Sequence, residues 1–318
     1  MKKFCLALAV LAVAHGGAHA AGYPEQTITV VVPFSAGGGA DNAARIIAQG
    51  LSQVSGQSVV VDNRAGASGS IGATYVARAK PDGYTVLYDA SSFAINPALR
   101  KLPYDPAQDF IPVSQAIRVP NILVAAPASP YNTLSDYVRV AQAQPGKHTY
   151  ASYGPGSLAQ MAGELLRIGA KIDTVHVPYK GGAPAIVDVM GGQVDVYFAN
   201  AASSLNYVKA GKLKALAVSS RERMPELPNV PTVRESGVKD FEVEEWNGFF
   251  VPAGTSPAIV ARLQELVQKS LALPATKSGL EKLGLTPVGS NAAQFSGFVA
   301  AERARWAQVV KTNHITAD

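Results

Sequence analysis

The sequence has very little cysteine, and its one cysteine lies close to the N-terminus. Cys5 is the only cysteine among 318 residues, and it falls within a short apolar run. If that run is removed on export, the remaining chain has no thiol, so it forms no disulfide and performs no thiol catalysis. A long exported chain without cysteine is typical of the bacterial periplasm or exterior.

Catalytic motifs are also missing from the sequence. Three histidines follow residue 20, at His148, His176 and His314, and no two of them have the spacing of metal ligands. No serine lies in a Gly-x-Ser-x-Gly elbow, and no pair of carboxylates suggests a general acid with its base. We therefore expect no enzyme, no cofactor and no metal, with a secreted hydrolase of unrecognised site as the rival interpretation.

Neither an excess of one charge nor a long apolar run dominates the chain. The formal net charge is +5, and it falls to about +3 without Lys2 and Lys3. The basic residues are scattered, without a run or an interleaved aromatic patch, so we expect no nucleic-acid partner. The apolar run Phe4 to Ala14 is too short to cross a bilayer, and no later run is long enough.

The first twenty residues have the pattern of an export signal. Two lysines precede the apolar run, and Ala18-His19-Ala20 matches a small-x-small cleavage site. We interpret residues 1–20 as a cleaved signal peptide and expect the protein in the periplasm. An uncleaved membrane anchor is the alternative.

Beyond the signal, apolar runs alternate with helix-like segments. Strands are predicted at 28–32, 58–62 and 84–88, and each is followed by a loop of small residues. Helices are predicted from Asp41 and over 71–79. Such alternation predicts a parallel, doubly wound sheet, in which ligands bind at the carboxyl ends of the strands. The third of these loops contains Ser91.

A second α/β unit follows, after a proline-rich stretch that we expect to be irregular over 96–120. Its strands are predicted at 121–126, 149–152, 174–177, 194–198 and 213–218, and an extended stretch over 242–252 returns the chain. The predicted fold therefore has two doubly wound α/β lobes with a central, hinged cleft. Lobe 1 comprises 21–120 and 247–318, and lobe 2 comprises 121–246.

The stretch Thr27 to Arg45 predicts an anion site, because a strand, a glycine-rich loop and a helix N-terminus follow one another. Gly37 and Gly39 with Asp62 imitate a dinucleotide fingerprint, but Asn42 occupies the third glycine position, and no Walker lysine follows. Gly154 to Leu158 is a similar loop in lobe 2. A plain turn is the alternative for either loop, and we interpret Asp41 as a helix cap.

Four further side chains end strands near the predicted cleft. Lys180 is the basic residue best placed there, with a solvated loop lysine as the alternative. Phe34, Tyr179 and Phe198 could pack on the carbon skeleton of a ligand, or simply cover the core.

Several longer motifs occur along the chain after residue 20. They are Val32-Pro33-Phe34-Ser35-Ala36-Gly37-Gly38 with Asp41, Asn63-Arg64 with Gly66, Ile71-Gly72-Ala73, Pro81-Asp82-Gly83-Tyr84-Thr85, His176-Val177-Pro178-Tyr179-Lys180-Gly181-Gly182 and Leu227-Pro228-Asn229-Val230-Pro231-Thr232. Through these motifs the chain resembles the Bug-type periplasmic solute receptors of tripartite tricarboxylate transporters, over essentially its whole length after residue 20.

The resemblance implies a type II periplasmic-binding-protein fold and capture of a small carboxylate between the lobes. It implies that the strand-to-helix loop of each lobe holds a ligand carboxyl, largely through backbone groups and water, and that the loops after Tyr179 and Phe198 contact the distal end. The predicted binding residues are Phe34, Ser35, Ala36, Gly37, Gly38, Ser91, Ser152, Gly154, Ser157, Leu158, Tyr179, Lys180, Phe198, Asn200 and Ala201.

Two departures from the family pattern leave the particular ligand open. Gln160-Met161 stands where the family often has His-Leu, and Phe198-Ala199-Asn200 where it often has Phe-Asp-Asn. The expected function is that of a monomeric receptor for a mono- or dicarboxylate, aliphatic or aromatic, which it delivers to the membrane subunits of a transporter. A receptor that signals to a membrane sensor is the alternative. A DNA-binding regulator is excluded by the export signal.

Overall fold

The structure, a computed structural model, describes residues 22–239 and 241–316. The predicted signal peptide, residues 1–20, lies outside these described residues. Across the described part of the chain, no helix has both the length and the apolar character needed to cross a membrane.

Three parallel strands build the first sheet region, as the sequence predicts. Their order is β2-β1-β3, with Thr29 of β1 beside Val60 on one side and Thr85 on the other. The second and third strands begin one residue later than predicted, and a 3₁₀ turn at Ala67–Gly69 precedes the second helix. The elements are β1 (Ile28–Val32), α1 (Gly39–Ser55), β2 (Val59–Asn63), α2 (Ser70–Ala77), β3 (Thr85–Ala90) and α3 (Ser92–Leu99).

The stretch 96–120 is more regular than the sequence predicts. Helix α3 extends to Leu99, and β4 (Phe110–Ala125) is the longest strand in the described chain. The prolines of this stretch predict an irregular chain, but Pro112 fits within the strand. It lies beside a β-bulge, where the pairing register between β4 and β9 (Glu244–Pro252) shifts. Strand β4 pairs antiparallel with β9 as far as Pro120.

At Asn121, β4 changes partners and enters a second sheet region. Asn121 pairs with Asn200, and β4 is antiparallel to both β7 and β8, whereas β5 is parallel to β6 and β7. From here on, lobe 1 means the elements before this change together with β9 and the C-terminal helices, and lobe 2 means the elements that follow the change. Glu245 is therefore counted with lobe 1, because β9 pairs with the first part of β4, although the predicted boundary at residue 246 assigned it to lobe 2. Lobe 2 contains α4 (Leu134–Ala143), β5 (His148–Ser152), α5 (Leu158–Ala170), β6 (Thr174–Pro178), α6 (Gly182–Met190), β7 (Val196–Asn200), α7 (Ala201–Lys209) and β8 (Lys214–Val218).

Two helix starts in lobe 2 have capping hydrogen bonds. In α4, Thr133 Oγ1 accepts from the Asp136 amide at 3.1 Å, and Asp136 accepts from the Thr133 amide at 3.2 Å, which completes a capping box. In α5, Ser157 Oγ accepts from the Gln160 amide at 3.3 Å. The Gln160 side chain accepts from Gly156 instead of from Ser157, so this box is open.

Three C-terminal helices pack on lobe 1: α8 (Pro257–Ala272), α9 (Pro274–Glu281) and α10 (Ala292–Asn313). Ser256 caps α8, and Pro257 follows at the first helical position, where its missing N–H costs nothing. Helix α9 and the two-residue β10 (Thr286–Pro287) were not predicted. Helix α10 covers Trp246 of β9, whose ring lies edge-on to two phenylalanines, and both Trp246 and Trp306 donate an indole N–H to Glu302.

Candidate functional site

A cavity lies between the two lobes, next to the carboxyl ends of β1, β3 and β7. Its volume is about 380 Å³, counting the part that opens to solvent. Among the described residues that line it, none is lysine, arginine or histidine. Lobe 1 contributes Phe34, Ser35, Gly38, Gly39, Ala40, Ala90, Glu245 and Asn247, and lobe 2 contributes Tyr153, Gly182, Tyr197, Asn200 and Ser203.

The N-terminus of α1 faces this cavity. Gly38 is the N-cap residue and has no side chain with which to cap the helix, while Gly39 and Ala40 of the first turn line the cavity. The first amides of a helix have no partner within the helix, and the helix dipole adds positive charge there. This end of the cavity therefore offers hydrogen-bond donors and a positive potential to an anion.

Asp41 supports the loop and does not face the cavity. Its carboxylate accepts hydrogen bonds from the Gly37 amide, Arg45 Nε and Asn63 Nδ2, at 2.9 to 3.0 Å. Burial alone would raise the pKa of Asp41, but these hydrogen bonds outweigh it and hold the pKa below its usual range. Asp41 thus lies in the first helical turn and fixes the glycine loop, whereas the N-cap itself is Gly38.

Two helix starts from lobe 2 complete the walls. Gly182 is the first residue of α6 and lines the cavity, after an N-cap at Gly181 that has no capping side chain. Asn200 caps α7, because its Oδ1 accepts from the Ala202 amide at 3.0 Å. The same side chain donates from Nδ2 to Glu245 Oε2 at 3.2 Å, so it joins the lobes.

Strand β9 contributes a buried carboxyl group. Glu245 is only 3% exposed, and its Oε1 accepts from the Tyr153 hydroxyl at 2.5 Å. That hydroxyl itself accepts from the Leu158 amide, so its proton is directed at Glu245. Burial raises the pKa of Glu245 to about 7, although the hydrogen bonds from Tyr153 and Asn200 act in the opposite direction.

Three buried polar atoms around the cavity have no hydrogen-bond partner in the described chain. They are Ser35 Oγ, the Tyr197 hydroxyl and Asn247 Oδ1. A buried polar atom without a partner costs about 1–3 kcal/mol. Ordered water or a polar ligand is the kind of partner that such atoms have in proteins.

The structure brings seven of the predicted binding residues to this region. Phe34, Ser35, Gly38 and Asn200 line the cavity itself. Gly154, Tyr179 and Lys180 line a neighbouring pocket of about 520 Å³, which shares Phe34 and Tyr153 with the cavity. Tyr179 donates to Asp188 at 2.6 Å, and Lys180 is exposed.

The other predicted residues lie away from the cavity surface. Ala36 and Gly37 are exposed, and Ala201 is a buried residue at the start of α7. Ser91 Oγ accepts from the Trp246 amide, which ties β9 to the loop after β3. Phe198 stacks on Phe241 in the lobe 2 core with ring centroids 5.5 Å apart.

The Gly154–Leu158 loop uses its own donors internally, which is not what we expected of the second half of a carboxyl clamp. The Gly154 amide donates to Ser152 Oγ at 3.1 Å, and the Gly156 amide to Gln160 Oε1 at 2.7 Å. The half-buried Pro155 carbonyl instead accepts from Ser68 Oγ at 2.6 Å and from Arg100. In this arrangement the loop joins the lobes, and Ser157 and Leu158 only support it.

Nine residues that line the cavity were not among the predicted binding residues, namely Gly39, Ala40, Ala90, Tyr153, Gly182, Tyr197, Ser203, Glu245 and Asn247. A signal for two of them exists, since Glu245 and Asn247 alternate with Trp246 and therefore share one face of an extended stretch. A glutamate inside such an apolar strand is rare unless it has a role or a partner.

Ser152 and His176 come closest to a nucleophile with its base, with Oγ and Nε2 2.7 Å apart. The serine is fully buried and already bonded to Gly154, and His176 Nδ1 has no carboxylate partner among the described residues. Burial lowers the pKa of His176. The pair lacks the orienting acid of a triad, and it fixes the loop after β5. No metal-binding cluster occurs in residues 22–239 or 241–316.

Comparison with known proteins gives one consistent result. Residues 43–315 match the family model described as the tripartite tricarboxylate transporter family receptor. The fold is similar to that of the periplasmic binding protein BugD, with a TM-score of 0.89 and 35% identity over 92% of this chain and 99% of that one.

Two similar structures from R. palustris contain ligands. One, with adipate, has a TM-score of 0.89 and 36% identity, and the match covers 92% of this chain and 99% of the other. The second, with bound malate, has a TM-score of 0.85 and 33% identity, and the match covers 91% of this chain and 100% of the other.

Proposed function

Because the chain belongs to the tripartite tricarboxylate transporter receptor family, we propose that it captures a small organic carboxylate between its lobes and delivers it to a transporter. The family and its structural relatives are solute-binding proteins and not enzymes. The fold is that of the Bug-type periplasmic binding proteins.

One observation carries the proposal of a carboxylate ligand. The uncapped N-terminus of α1 opens into a cavity whose lining includes partnerless polar atoms but no basic side chain. A helix N-terminus binds a carboxylate through amides and dipole without needing arginine or lysine. Charge-assisted hydrogen bonds of this kind contribute about 1.5–3 kcal/mol each, so two or three give micromolar affinity.

The relatives support the ligand class. The two R. palustris structures hold adipate and malate, both dicarboxylates. A dicarboxylate or a related small acid is therefore the ligand class that we propose, and the partners are the membrane subunits of a tripartite transporter. The protein works in the periplasm as a monomer, with a membrane sensor as the alternative partner.

A substitution in the first turn of α1 tests the position of the carboxyl group. Ala40→Asp places a negative charge at the cavity end of the helix, where it repels a bound carboxylate but suits the helix dipole. We expect affinity for the best carboxylate of a thermal-shift screen to fall about ten-fold or more by calorimetry.

Ala36→Asp is the matched control, because Ala36 is exposed in the same loop and does not line the cavity. Its affinity should stay within about two-fold of the unaltered protein. Equal losses in both variants, or no stabilisation by any carboxylate in the screen, would contradict the proposed function.

A further inference from the structure

We propose that the cavity selects carboxylates that also carry a cationic amino group, with Glu245 and Asn247 as the acceptors for that amine. This inference rests on the proposed function, since it assumes that a carboxyl group of the ligand binds at the helix N-termini.

The two acceptors lie on one face of β9. Glu245 and Asn247 are two residues apart on the strand, both line the cavity, and they are 3% and 1% exposed. The Asn247 amide nitrogen donates to the Asp89 carbonyl at 3.3 Å, which leaves Oδ1 as the free atom. That oxygen has no partner in the described chain. An ammonium group has three donors and no acceptor, so it matches this pair.

The charge balance favours an ammonium over other donors. The hydrogen-bond partners of Glu245 are neutral, a tyrosine and an asparagine, and no cationic side chain is among the residues lining the cavity. An ionised carboxylate that is buried without an opposite charge is destabilising. A ligand hydroxyl would supply a hydrogen bond but no charge, and a second ligand carboxylate in this position would be repelled.

The same cavity also offers hydrogen-bond donors to an anion. The first turn of α1 presents Gly39 and Ala40, and α6 begins at Gly182, so two helix N-termini line it. Gly39 lies beside Asn200, which donates to Glu245, so donors and acceptors are close together. Asp89, the neighbouring buried carboxyl on β3, accepts from the Ala90 amide and does not line the cavity. The cavity therefore presents both donors and acceptors, which suits a ligand whose carboxylate and ammonium groups are near each other.

The test compares ligands that differ in one substituent. Calorimetry on the purified protein at about pH 8, where Glu245 is ionised, uses two sets: propionate, lactate and alanine, and succinate, malate and aspartate. In at least one set we expect the amino member to bind about ten-fold or more tightly than the unsubstituted member. The hydroxy member should lie between them.

Glu245→Gln is the variant that removes the charge while keeping the shape of the side chain. It should lower affinity for the preferred amino ligand about ten-fold or more and leave the unsubstituted acid unchanged or bound more tightly. Glu244→Gln is the matched control, because the adjacent glutamate lines a separate groove with Arg118 and Arg221. The preference for the amino ligand should persist in that control.

Failure of this inference can be separated from failure of the proposed function. If unsubstituted carboxylates bind and the amino member is never the tighter one, selection for an amine is overturned while the receptor function stands. If no carboxylate of any kind binds, both are overturned. An unchanged amine preference in Glu245→Gln would also overturn the inference. The ligand comparison uses the unaltered protein, so it tests the preference for an amino group even if a variant fails to fold.

Discussion

At the scale of single residues, Glu245 has the most unusual environment in the cavity. It is a carboxyl group with 3% exposure, held by a tyrosine hydroxyl and an asparagine amide that belong to the other lobe. The protonation state of Glu245 therefore affects the stability of the fold, the hydrogen bonds between the lobes and the charge on the cavity wall.

The raised pKa of Glu245 predicts how stability depends on pH. The pKa of this carboxyl is 4.5 in an unfolded chain and about 7 in the folded protein. At a pH between these two pKa values, the folded protein keeps a proton that the unfolded chain has lost. The contribution of this group is therefore complete below about pH 4.5 and is lost as the pH rises through 7. In Glu245→Gln the new amide nitrogen faces the Asn200 Nδ2 donor, which costs about 1–3 kcal/mol at either pH. Relative to the unaltered protein, the unfolding free energy of the variant should therefore be about 1–3 kcal/mol higher at pH 8 than at pH 5.

Urea unfolding of the ligand-free protein at both pH values measures this difference. Burial raises the pKa of Asp89 to about 8, and the nearby charge of Glu245 adds to that rise. Loss of this charge in Glu245→Gln stabilises the folded protein further at pH 8, in the same direction as the predicted difference. Glu222→Gln, at an exposed glutamate, is the control and should change little at either pH. An equal effect of Glu245→Gln at pH 5 and pH 8 would contradict the prediction.

At the same scale, sequence reasoning found the residues of the strand-to-helix loops and missed those inside strands. Phe34, Ser35 and Gly38 follow directly from a glycine loop after an apolar run. In β7 of lobe 2 the prediction chose the wrong neighbour: Phe198 packs on Phe241 in the core, whereas Tyr197 lines the cavity. Successive strand residues point to opposite faces, so a shift of one residue exchanges core and cavity.

At the scale of elements, the strands and the first two helices were predicted well because each depends on local chemistry. The apolar run of β1 and the amphipathic helix that begins near Asp41 need no tertiary information. Strand β4 was missed over 110–120, because Pro112 lies at a bulge that only the pairing with β9 defines. The position of Glu245 in the cavity was not predicted for a similar reason, since its hydrogen-bond partners Tyr153 and Asn200 belong to the other lobe.

The capping box of α4 gives a prediction for one element. Thr133→Ala removes the oxygen that accepts from the Asp136 amide, so it should lower the unfolding free energy by about 1 kcal/mol. Thr133→Ser keeps that oxygen and should cost much less. Urea unfolding of the two variants checks this, and equal losses would show that the methyl group and not the cap is responsible.

At the scale of the whole molecule, the lobes meet in a closed arrangement in which there is little spare room. A Cβ atom on Gly39 would lie 2.3 Å from Asn200 Oδ1, an atom fixed by the cap of α7. Gly39→Ala should therefore hold the lobes apart and lower affinity for the best ligand about ten-fold, with a largely unchanged fold.

Small-angle scattering with and without ligand should show a reduced contraction in Gly39→Ala, together with the weaker binding by calorimetry. Gly297→Ala is the matched control, because the new methyl group in α10 meets nothing within 4 Å. If the Gly39→Ala protein contracts on ligand binding and binds the ligand as the unaltered protein does, the prediction is wrong and the contact between residue 39 and Asn200 can adjust to a methyl group.

The position of Trp246 gives the receptor an intrinsic optical signal. The sequence has two tryptophans, and both indole N–H groups donate to the same carboxyl group of Glu302. Trp246 lies between Glu245 and Asn247 in the chain, with its ring on the opposite face of β9 from the cavity. Any displacement of that strand on ligand entry alters the electric field at the ring. We therefore expect tryptophan emission from the unlabelled protein to change when a ligand fills the cavity.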